Sequence, residues 1–339
     1  MSSAVGSDRS GSARGGRVRV GAVDCGTNSI RLLVAEGVPG ELGLTDVVRE
    51  MRIIRLGEGV DATGRLSEGA ISRCRTALTD YTATMAELGV QSVRMVATSA
   101  TRDARNKDEF FGMTAEVLGA HFPGAQAEVI SGQTEAELTF AGGVSDLRPE
   151  DGPFVVTDLG GGSTEIVVGE LVRGEVQLLG ARSLDIGCVR ITERVLHSDP
   201  PTAAEVAEAR AVVSEALAEA GDVPVGRAAR WVGVAGTFTT LSALAQNLGE
   251  YDPERIHGSV IPLDRMREVC HQLVASTVAE RRALGAMHPG RADVIGGGSI
   301  VVQALCDVMA ERAGLSELTV SEKDILDGIA MSVLTRLAG

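Results

Sequence analysis

The sequence predicts an α/β protein of two domains with a central cleft between them. Strand and helix patterns alternate along the first half of the chain, as is typical of α/β folds. The second half begins again with a strand, a glycine-rich turn and another strand, and so repeats the opening of the first half. The 339 residues, 44% hydrophobic and 23% charged, provide enough material for two hydrophobic cores.

Hydrophobic periodicity defines the elements of the first half. They are strands at 18–23, 30–35 and 47–56, a helix at 67–88, a strand at 92–97, a helix at 107–118 and a strand at 127–130. Residues 1–17 are rich in Ser, Gly and Arg, which predicts a flexible tail. Gly, Asp and Pro cluster at 142–152 and indicate a domain boundary. The N-terminal domain is therefore expected to span 18–142.

The C-terminal domain is expected to span 143–316. Its predicted elements are strands at 154–158 and 166–170, a surface helix at 202–220, a strand at 230–234 that leads into a helix, and a helix that begins at the glycines 296–298 and extends to 309. The last residues, 317–339, should form a strand and a helix that could pack back on the first domain.

Composition and charge exclude several classes of function. The net charge of −14 disfavours binding of nucleic acid. No apolar stretch approaches the roughly 20 residues of a membrane-spanning helix, and the N-terminal tail lacks the apolar segment of a signal peptide. We therefore expect no membrane partner and a cytoplasmic location. Five scattered cysteines and five scattered histidines, without zinc-type spacing, indicate that any metal is a hard cation bound by oxygen atoms.

A glycine-rich turn joins the first two strands predicted for the second half. It reads Asp-Leu-Gly-Gly-Gly-Ser-Thr-Glu from Asp158 to Glu165, and because a strand follows it, it differs from nucleotide-binding loops that lead into a helix. Consecutive glycines allow backbone amides to surround a phosphate. The amides predicted to do so are those of Gly160, Gly161, Gly162 and Ser163. Asp158 and Glu165 would hold Mg²⁺ beside the phosphate. The alternative is an ordinary glycine-rich hairpin.

A related turn joins the first two predicted strands of the chain. Aligning Asp24 with Asp158 pairs glycine with glycine and serine with serine across the two turns. An Asp-x-Gly turn is common by itself, but two copies of one domain would bring both turns to a shared cleft. The predicted phosphate-binding residues of this turn are Asp24, Gly26, Thr27, Asn28 and Ser29.

Two further residues are candidates for catalysis and phosphate binding. Glu135 lies just after a strand, in the first turn of a helix that Ser131 can cap, and could act as the base that orients an attacking water. The helix dipole alone also favours an acid there. Arg102 follows a strand end and could bind a phosphate oxygen, or could instead be a surface arginine paired with Asp103 or another nearby acid.

Three other features stay open at this level. Strand alternation does not decide whether Arg31 faces the cleft or solvent. The glycine segments 233–237 and 296–299 each lead into a helix, so they could bind anions or could serve close helix packing.

Five segments together resemble the exopolyphosphatase and guanosine pentaphosphate phosphatase (Ppx/GppA) family of the actin-like superfamily. They are 23–29, 97–102, 130–136, 158–165 and 291–295, and they occur in the family's order. The resemblance extends over about 18–337. It implies two actin-like (ribonuclease H-like) domains that face each other across a central cleft.

The resemblance also implies roles for individual residues. Glu135 would be the catalytic base, and Arg102 would contact phosphate. The essential phosphate and metal site would consist of Asp158, Gly160 and Glu165, and the first phosphate loop would include Asp24 and Ser29. One departure concerns the base: the family pattern is Gly-Asn-Glu-Glu, whereas this chain has Gln133 and Thr134 before Glu135. Only the second acid of that pattern is present.

The activity implied is hydrolysis of the terminal phosphate of inorganic polyphosphate, assisted by Mg²⁺ or Mn²⁺. The alternative is a guanosine pentaphosphate 5′-phosphohydrolase, and a non-catalytic sensor of polyphosphate or alarmones is a third candidate. A kinase of this fold would need a pocket for an alcohol acceptor, for which the sequence shows no feature. Longer members carry further C-terminal helical domains. This sequence resembles the short form, so we expect short chains as substrates and a homodimer.

Overall fold

Two mixed β-sheets form the centres of two lobes in the computed structural model, which describes residues 16–40, 43–173 and 175–338. The tail predicted for 1–17 lies outside the described residues as far as residue 15. The strands are β1 (Val18–Cys25), β2 (Ser29–Gly37), β3 (Leu44–Ile53), β4 (Ser92–Ala97), β5 (Ala127–Val129), β6 (Phe154–Leu159), β7 (Thr164–Val172), β8 (Glu175–Leu184), β9 (Arg230–Val234), β10 (Val260–Pro262) and β11 (Glu317–Val320).

Helices cover both sheets and connect them. They are α1 (Val60–Thr63), α2 (Glu68–Glu87), α3 (Ser99–Asp103), α4 (Lys107–Gly119), α5 (Gly132–Gly143), α6 (Cys188–Val195), α7 (Ala203–Ala218), α8 (Ala235–Ala245), α9 (Pro253–Ile256), α10 (Leu263–Ala275), α11 (Val278–Arg282), α12 (Ile295–Ala313) and α13 (Ile325–Ala338). Within the described residues, none of these helices has the length and apolar character that crossing a membrane requires.

The two sheets repeat one topology. The first has the order β3-β2-β1-β4-β5, and the second has the order β10-β11-β9-β6-β7-β8. In each, three antiparallel strands come first and a parallel strand then joins the other side of the first strand. The strand register even shifts at equivalent places, between Val34 and Ala35 and between Val168 and Gly169. The α/β organisation in two related domains is therefore confirmed.

The first sheet is buried on both faces. Strand β1 has buried residues pointing to both sides, as expected of a central strand. One core lies between the sheet and helices α2 and α4, with Leu32, Leu78 and Phe110 among its members. The other face packs against α13 through Leu33 and Ile329.

The positions of the elements that connect the lobes differ from the predicted domain division. Helix α5, placed by the sequence in the first domain at 18–142, packs on the second sheet because Ala136 and Phe140 face β6 and β7. The C-terminal segment 317–339 belongs to both lobes. Strand β11 pairs with β9 and buries Leu318 and Val320 in the second core, whereas α13 packs on the first sheet.

Helices α5 and α13 also pack against each other, and glycines make this crossing possible. A Cβ atom on Gly142 would overlap the carbonyl oxygen of Asp324, and one on Gly328 would overlap the carbonyl oxygen of Leu138. The chain passes from one lobe to the other through both helices, so this crossing joins the lobes on the side that the chain connects.

Substitution of Gly142 or Gly328 by alanine should therefore lower the free energy of unfolding by about 1–3 kcal/mol, because the added methyl group overpacks the helix crossing. The matched control is Gly112→Ala in α4, where a Cβ atom would meet nothing within 4 Å. It should stabilise the protein by up to about 1 kcal/mol, as alanine favours helix. Urea unfolding midpoints measure both effects, and equal midpoints for the three variants would contradict this account of the crossing.

Candidate active site

Two equivalent turns face each other between the lobes. Asp24 lies near the end of β1 and Asp158 near the end of β6, and each is followed by a turn that closes in the same way. The amide of Gly26 donates to the carbonyl of Ser29 over 2.9 Å. The corresponding bond, from Gly160 to Ser163, measures 3.1 Å. The predicted repeat therefore places one carboxylate and one turn from each lobe at the same cleft.

Most of the predicted site residues line this cleft, which encloses about 760 Å³, including space open to solvent. Those that line it are Asp24, Gly26, Thr27, Asn28, Ser29, Glu135, Asp158, Gly160, Gly161, Ser163 and Glu165. Gly162 and Arg102 do not. Gly162 instead lies at a contact between the lobes, and Arg102 forms an ion pair with Glu135.

The two turns touch at one end of the cleft. Thr27 Oγ1 and Ser99 Oγ lie 2.9 Å apart in a hydrogen bond. A Cβ atom on Gly162 would lie 2.5 Å from Ser99 Oγ and 2.7 Å from Thr27 Oγ1. Glycine at 162 therefore permits the lobes to meet, which is a packing role and differs from the predicted phosphate cradle. A smaller pocket lies on the other side of this contact, lined in part by Asp61, Asp103 and Arg190.

Four buried carboxylates converge on the cleft. They are Asp24, Glu135, Asp158 and Glu165, each no more than 6% exposed. Burial raises all four pKa values, because the charged form loses its hydration. The pKa of Glu135 rises to about 7 and that of Asp158 to about 8, and repulsion between the carboxylates adds to both. The pKa of Glu165 lies well above its usual range.

Two arginines offset part of this negative charge. Arg102 Nη1 donates to Glu135 Oε2 over 2.7 Å and to the carbonyl of Ile130 over 3.2 Å. This pairing lowers the pKa of Glu135, although burial has the larger effect. Arg31 faces the cleft and binds Asp24 Oδ2 at 2.6 Å and also Asp324 Oδ2. The sequence did not decide which way Arg31 points, and it did not indicate that Asp324 would be its partner.

Carboxylate oxygens with free acceptor capacity are the groups of the cleft that could hold a metal ion. Among the described residues, no three His, Cys, Asp or Glu side chains form a group that could hold a metal ion by themselves. Mg²⁺ usually takes only one or two carboxylates and completes its shell with water and phosphate oxygens. Asp158 accepts a single 3.3 Å bond, from Thr139, and Asp24 Oδ1 is buried without a partner among the described residues. The carboxylates present thus fit such a cation.

One arginine of the cleft had no role assigned from sequence. Arg291 donates to the carbonyl of Gly236 over 3.1 Å and to Thr240 Oγ1 over 3.2 Å, and burial lowers its pKa. It makes no salt bridge to any carboxylate of the described residues. The sequence features that could have indicated Arg291 as a cleft residue were the glycine segment 233–237 and the motif 291–295, and residues of both line the cleft.

Comparison with known proteins gives consistent matches over nearly the whole chain. The model of the Ppx/GppA phosphatase family matches residues 33–333. Exopolyphosphatase 2 of Mycobacterium tuberculosis (strain H37Rv) is 58% identical over 318 residues, which cover 93% of this chain and 98% of that protein. A guanosine-5′-triphosphate,3′-diphosphate pyrophosphatase of Aeromonas hydrophila is 28% identical and matches 92% of this chain, which spans 59% of that protein's length.

Solved structures agree with the described fold. A crystal structure of an exopolyphosphatase-like protein superimposes with a TM-score of 0.88 and 39% identity, covering 95% of this chain and 99% of that one. The Aquifex aeolicus member of the Ppx/GppA family gives a TM-score of 0.77 and 30% identity, covering 96% and 100%. The predicted actin-like, two-domain fold is confirmed. The chain belongs to the Ppx/GppA phosphatase family.

Proposed function

We propose that this protein is an exopolyphosphatase, which transfers the terminal phosphoryl group of inorganic polyphosphate to water. The observation that carries the proposal is a buried carboxylate, Glu135, held by Arg102 in a cleft between two opposed turns. A pKa near 7 suits a group that must accept a proton at neutral pH. The family membership and the 58% identity to a protein named exopolyphosphatase 2 support the same activity.

Glu135 acts as the general base in this proposal. Arg102 holds Oε2, and Oε1 accepts no hydrogen bond from the described residues, so it is available to a water molecule. Glu135 takes a proton from that water as its oxygen attacks the terminal phosphorus in line. The P–O bond to the next phosphate breaks, so that orthophosphate and a chain shorter by one unit are released.

The turns supply donors for the phosphate oxygens. Several turn amides make no hydrogen bond to any of the described residues, and they belong to Thr27, Asn28, Gly161 and Ser163. Free amides in a tight turn form an anion-binding concavity. Arg291, which has no carboxylate partner within the described part of the chain, adds a cation on the second lobe. Because the net negative charge of the protein repels anions, a highly charged terminal phosphate needs local hydrogen-bond donors and a local cation. These groups supply both.

Cleavage at a chain end is supported by the shape of the cleft. The contact between Thr27, Ser99 and Gly162 separates the cleft from the smaller pocket behind it. A polymer cannot pass through this contact, so only a chain terminus reaches Glu135.

Asp158 and Glu165 are proposed to hold Mg²⁺ or Mn²⁺, as the sequence predicted. Glu165 Oε1 is fixed by a 2.7 Å hydrogen bond from Ser183, and Asp158 retains acceptor capacity. When bound, the cation would neutralise negative charge on the phosphate oxygens. Because both carboxylates are buried among other acids, a divalent cation would also relieve their mutual repulsion.

The second candidate is hydrolysis of guanosine pentaphosphate. The Aeromonas hydrophila relative carries a name of that type, and the same base and turns would serve the reaction. The homodimer, the preference for short chains and the cytoplasmic location stay predictions.

The Glu135→Gln variant should release phosphate at least about 100-fold more slowly than wild type, since the amide cannot accept the proton. Phosphate release is measured with short polyphosphate, long polyphosphate, guanosine pentaphosphate and ATP, and the ranking of substrates separates the two candidates. Glu137→Gln is the matched control, because Glu137 lies exposed on the same helix and, among the residues that the structure describes, has a hydrogen bond only from Gln133. Full activity in Glu135→Gln would exclude this base, and no release by wild type from any substrate would favour a sensor.

Removal of one buried acid should change how stability depends on pH. The raised pKa of Asp158 means that the folded state holds the proton more tightly than the unfolded chain. Its contribution is therefore full below about pH 4 and is lost as pH rises through about 8. Without divalent cation, wild type should therefore lose thermal stability as pH rises from about 4 to 8, and Asp158→Asn should lose less.

At pH 8, Mg²⁺ should raise the melting temperature of wild type and have a smaller effect on Asp158→Asn. The control is Asp185→Asn, an exposed acid in the segment before α6, which should respond to Mg²⁺ as wild type does. An equal response of Asp158→Asn would contradict the proposed metal site.

A further inference from the structure

Arg190 lies in helix α6, and this helix is attached to the glycine turn of the second lobe. The amide of Cys188 donates to the carbonyl of Gly160 over 3.0 Å, and the amide of Val189 donates to the carbonyl of Gly161 over 2.9 Å. The beginning of α6 and the turn therefore form one unit. Arg190 has no part in the catalytic scheme above.

The side chain of Arg190 joins this unit to the first lobe. Its Nε donates to the carbonyl of Gly162 over 2.8 Å. Its Nη1 donates to Asp61 over 3.0 Å and its Nη2 to Asp103 over 2.6 Å, so that one guanidinium binds the turn and two acids of the opposite lobe. The side chain is only 11% exposed, which makes these ion pairs less screened than surface pairs.

Asp103 connects Arg190 to the base. It is the last residue of the five-residue helix α3, directly after Arg102. Arg102 in turn holds Glu135 over 2.7 Å. Polar contacts thus link the glycine turn of the second lobe to Asp103 through Arg190, and the neighbouring Arg102 continues the link to the carboxylate of Glu135.

We propose that Arg190 is a positioning residue that holds α3, and with it Arg102, in place against Glu135 when the lobes are closed. The inference rests on the proposed function, because it concerns the geometry of that reaction. If the lobes separated, Arg190 would lose both carboxylates, and α3 would lose its link to the turn. Glu135 lies in α5, which packs on the second sheet, whereas Arg102 and the first turn belong to the first lobe. Reaction in line requires the base, its arginine and the two turns to keep a fixed geometry across the lobes.

Other ion pairs between the lobes allow a role in alignment to be distinguished from simple attraction between the lobes. Arg194, one turn further along α6, binds Asp61, and Arg55 binds Asp293 over 2.6 Å. Neither makes a hydrogen bond or an ion pair with the glycine turn or α3 in the described residues. Arg194→Gln therefore removes an ion pair between lobes from the same helix and leaves the link between Arg190 and Asp103 in place.

The test compares kcat and KM for phosphate release from short polyphosphate in Arg190→Gln, Arg190→Lys, Asp103→Asn, Arg194→Gln and the double variant of Arg190 and Asp103. We expect Arg190→Gln and Asp103→Asn each to lower kcat about 10- to 100-fold with little change in KM, because alignment is lost and binding is retained. Arg190→Lys should recover part of the loss. The double variant should be no slower than the slower single variant, and Arg194→Gln should stay within about threefold of wild type.

Equal losses in Arg190→Gln and Arg194→Gln, or multiplied losses in the double variant, would overturn the proposal. If Arg190→Gln fails to fold by circular dichroism, Asp103→Asn is compared with Asp61→Asn, which removes the acid that both arginines of α6 share. The proposal requires the larger loss of kcat in Asp103→Asn, and an equal or smaller loss overturns it. Wild type with no activity above that of Glu135→Gln would overturn the proposed function, and the inference with it.

Discussion

Repulsion among carboxylates buried between the lobes is the constraint on which this site depends. Asp24, Glu135, Asp158 and Glu165 share one cleft, and each would lose hydration as an anion. The protein does not neutralise them fully. Arg31 binds Asp24 and Arg102 binds Glu135, whereas the donors to Asp158 and Glu165 in the described part of the chain are hydroxyl groups, including those of Thr139 and Ser183. The second lobe therefore has two carboxyl groups without an ion-pair partner among the described residues, at the position proposed for a divalent cation.

The two lobes are held at two different places. On one side, α5 and α13 cross so closely that glycine is needed at Gly142 and Gly328. On the other side, the turns meet at Gly162, and Arg190 joins the lobes by ion pairs to Asp61 and Asp103. The first connection is covalent and tightly packed, while the second consists of polar contacts that can be broken. This difference suits a cleft that must admit a charged substrate and then exclude water from its carboxylates.

The sequence predicted the parts of the site that depend on local pattern. The repeat of Asp24 and Asp158 and the turns after them were readable because each turn lies between two strands of clear periodicity. Pairings across the fold were not readable. Asp324 lies 293 residues from Arg31, and the partner of Arg102 was open between Asp103 and other acids. Segments such as β8 and α6 were unassigned, because β8 is half exposed and α6 has only eight residues. Gly162 was interpreted as a phosphate ligand since sequence cannot show that another lobe packs on it.

The central claim is that the terminal phosphate of the substrate binds between the two turns beside Glu135. A crystal structure of the Glu135→Gln variant with tetraphosphate and Mg²⁺ tests it most directly. We predict that the terminal phosphate accepts hydrogen bonds from amides of both the turn from Asp24 to Ser29 and the turn from Asp158 to Ser163, with its phosphorus next to the substituted side chain. A tetraphosphate bound outside the cleft, or with an internal phosphate at that position and the chain continuing on both sides, would contradict the account.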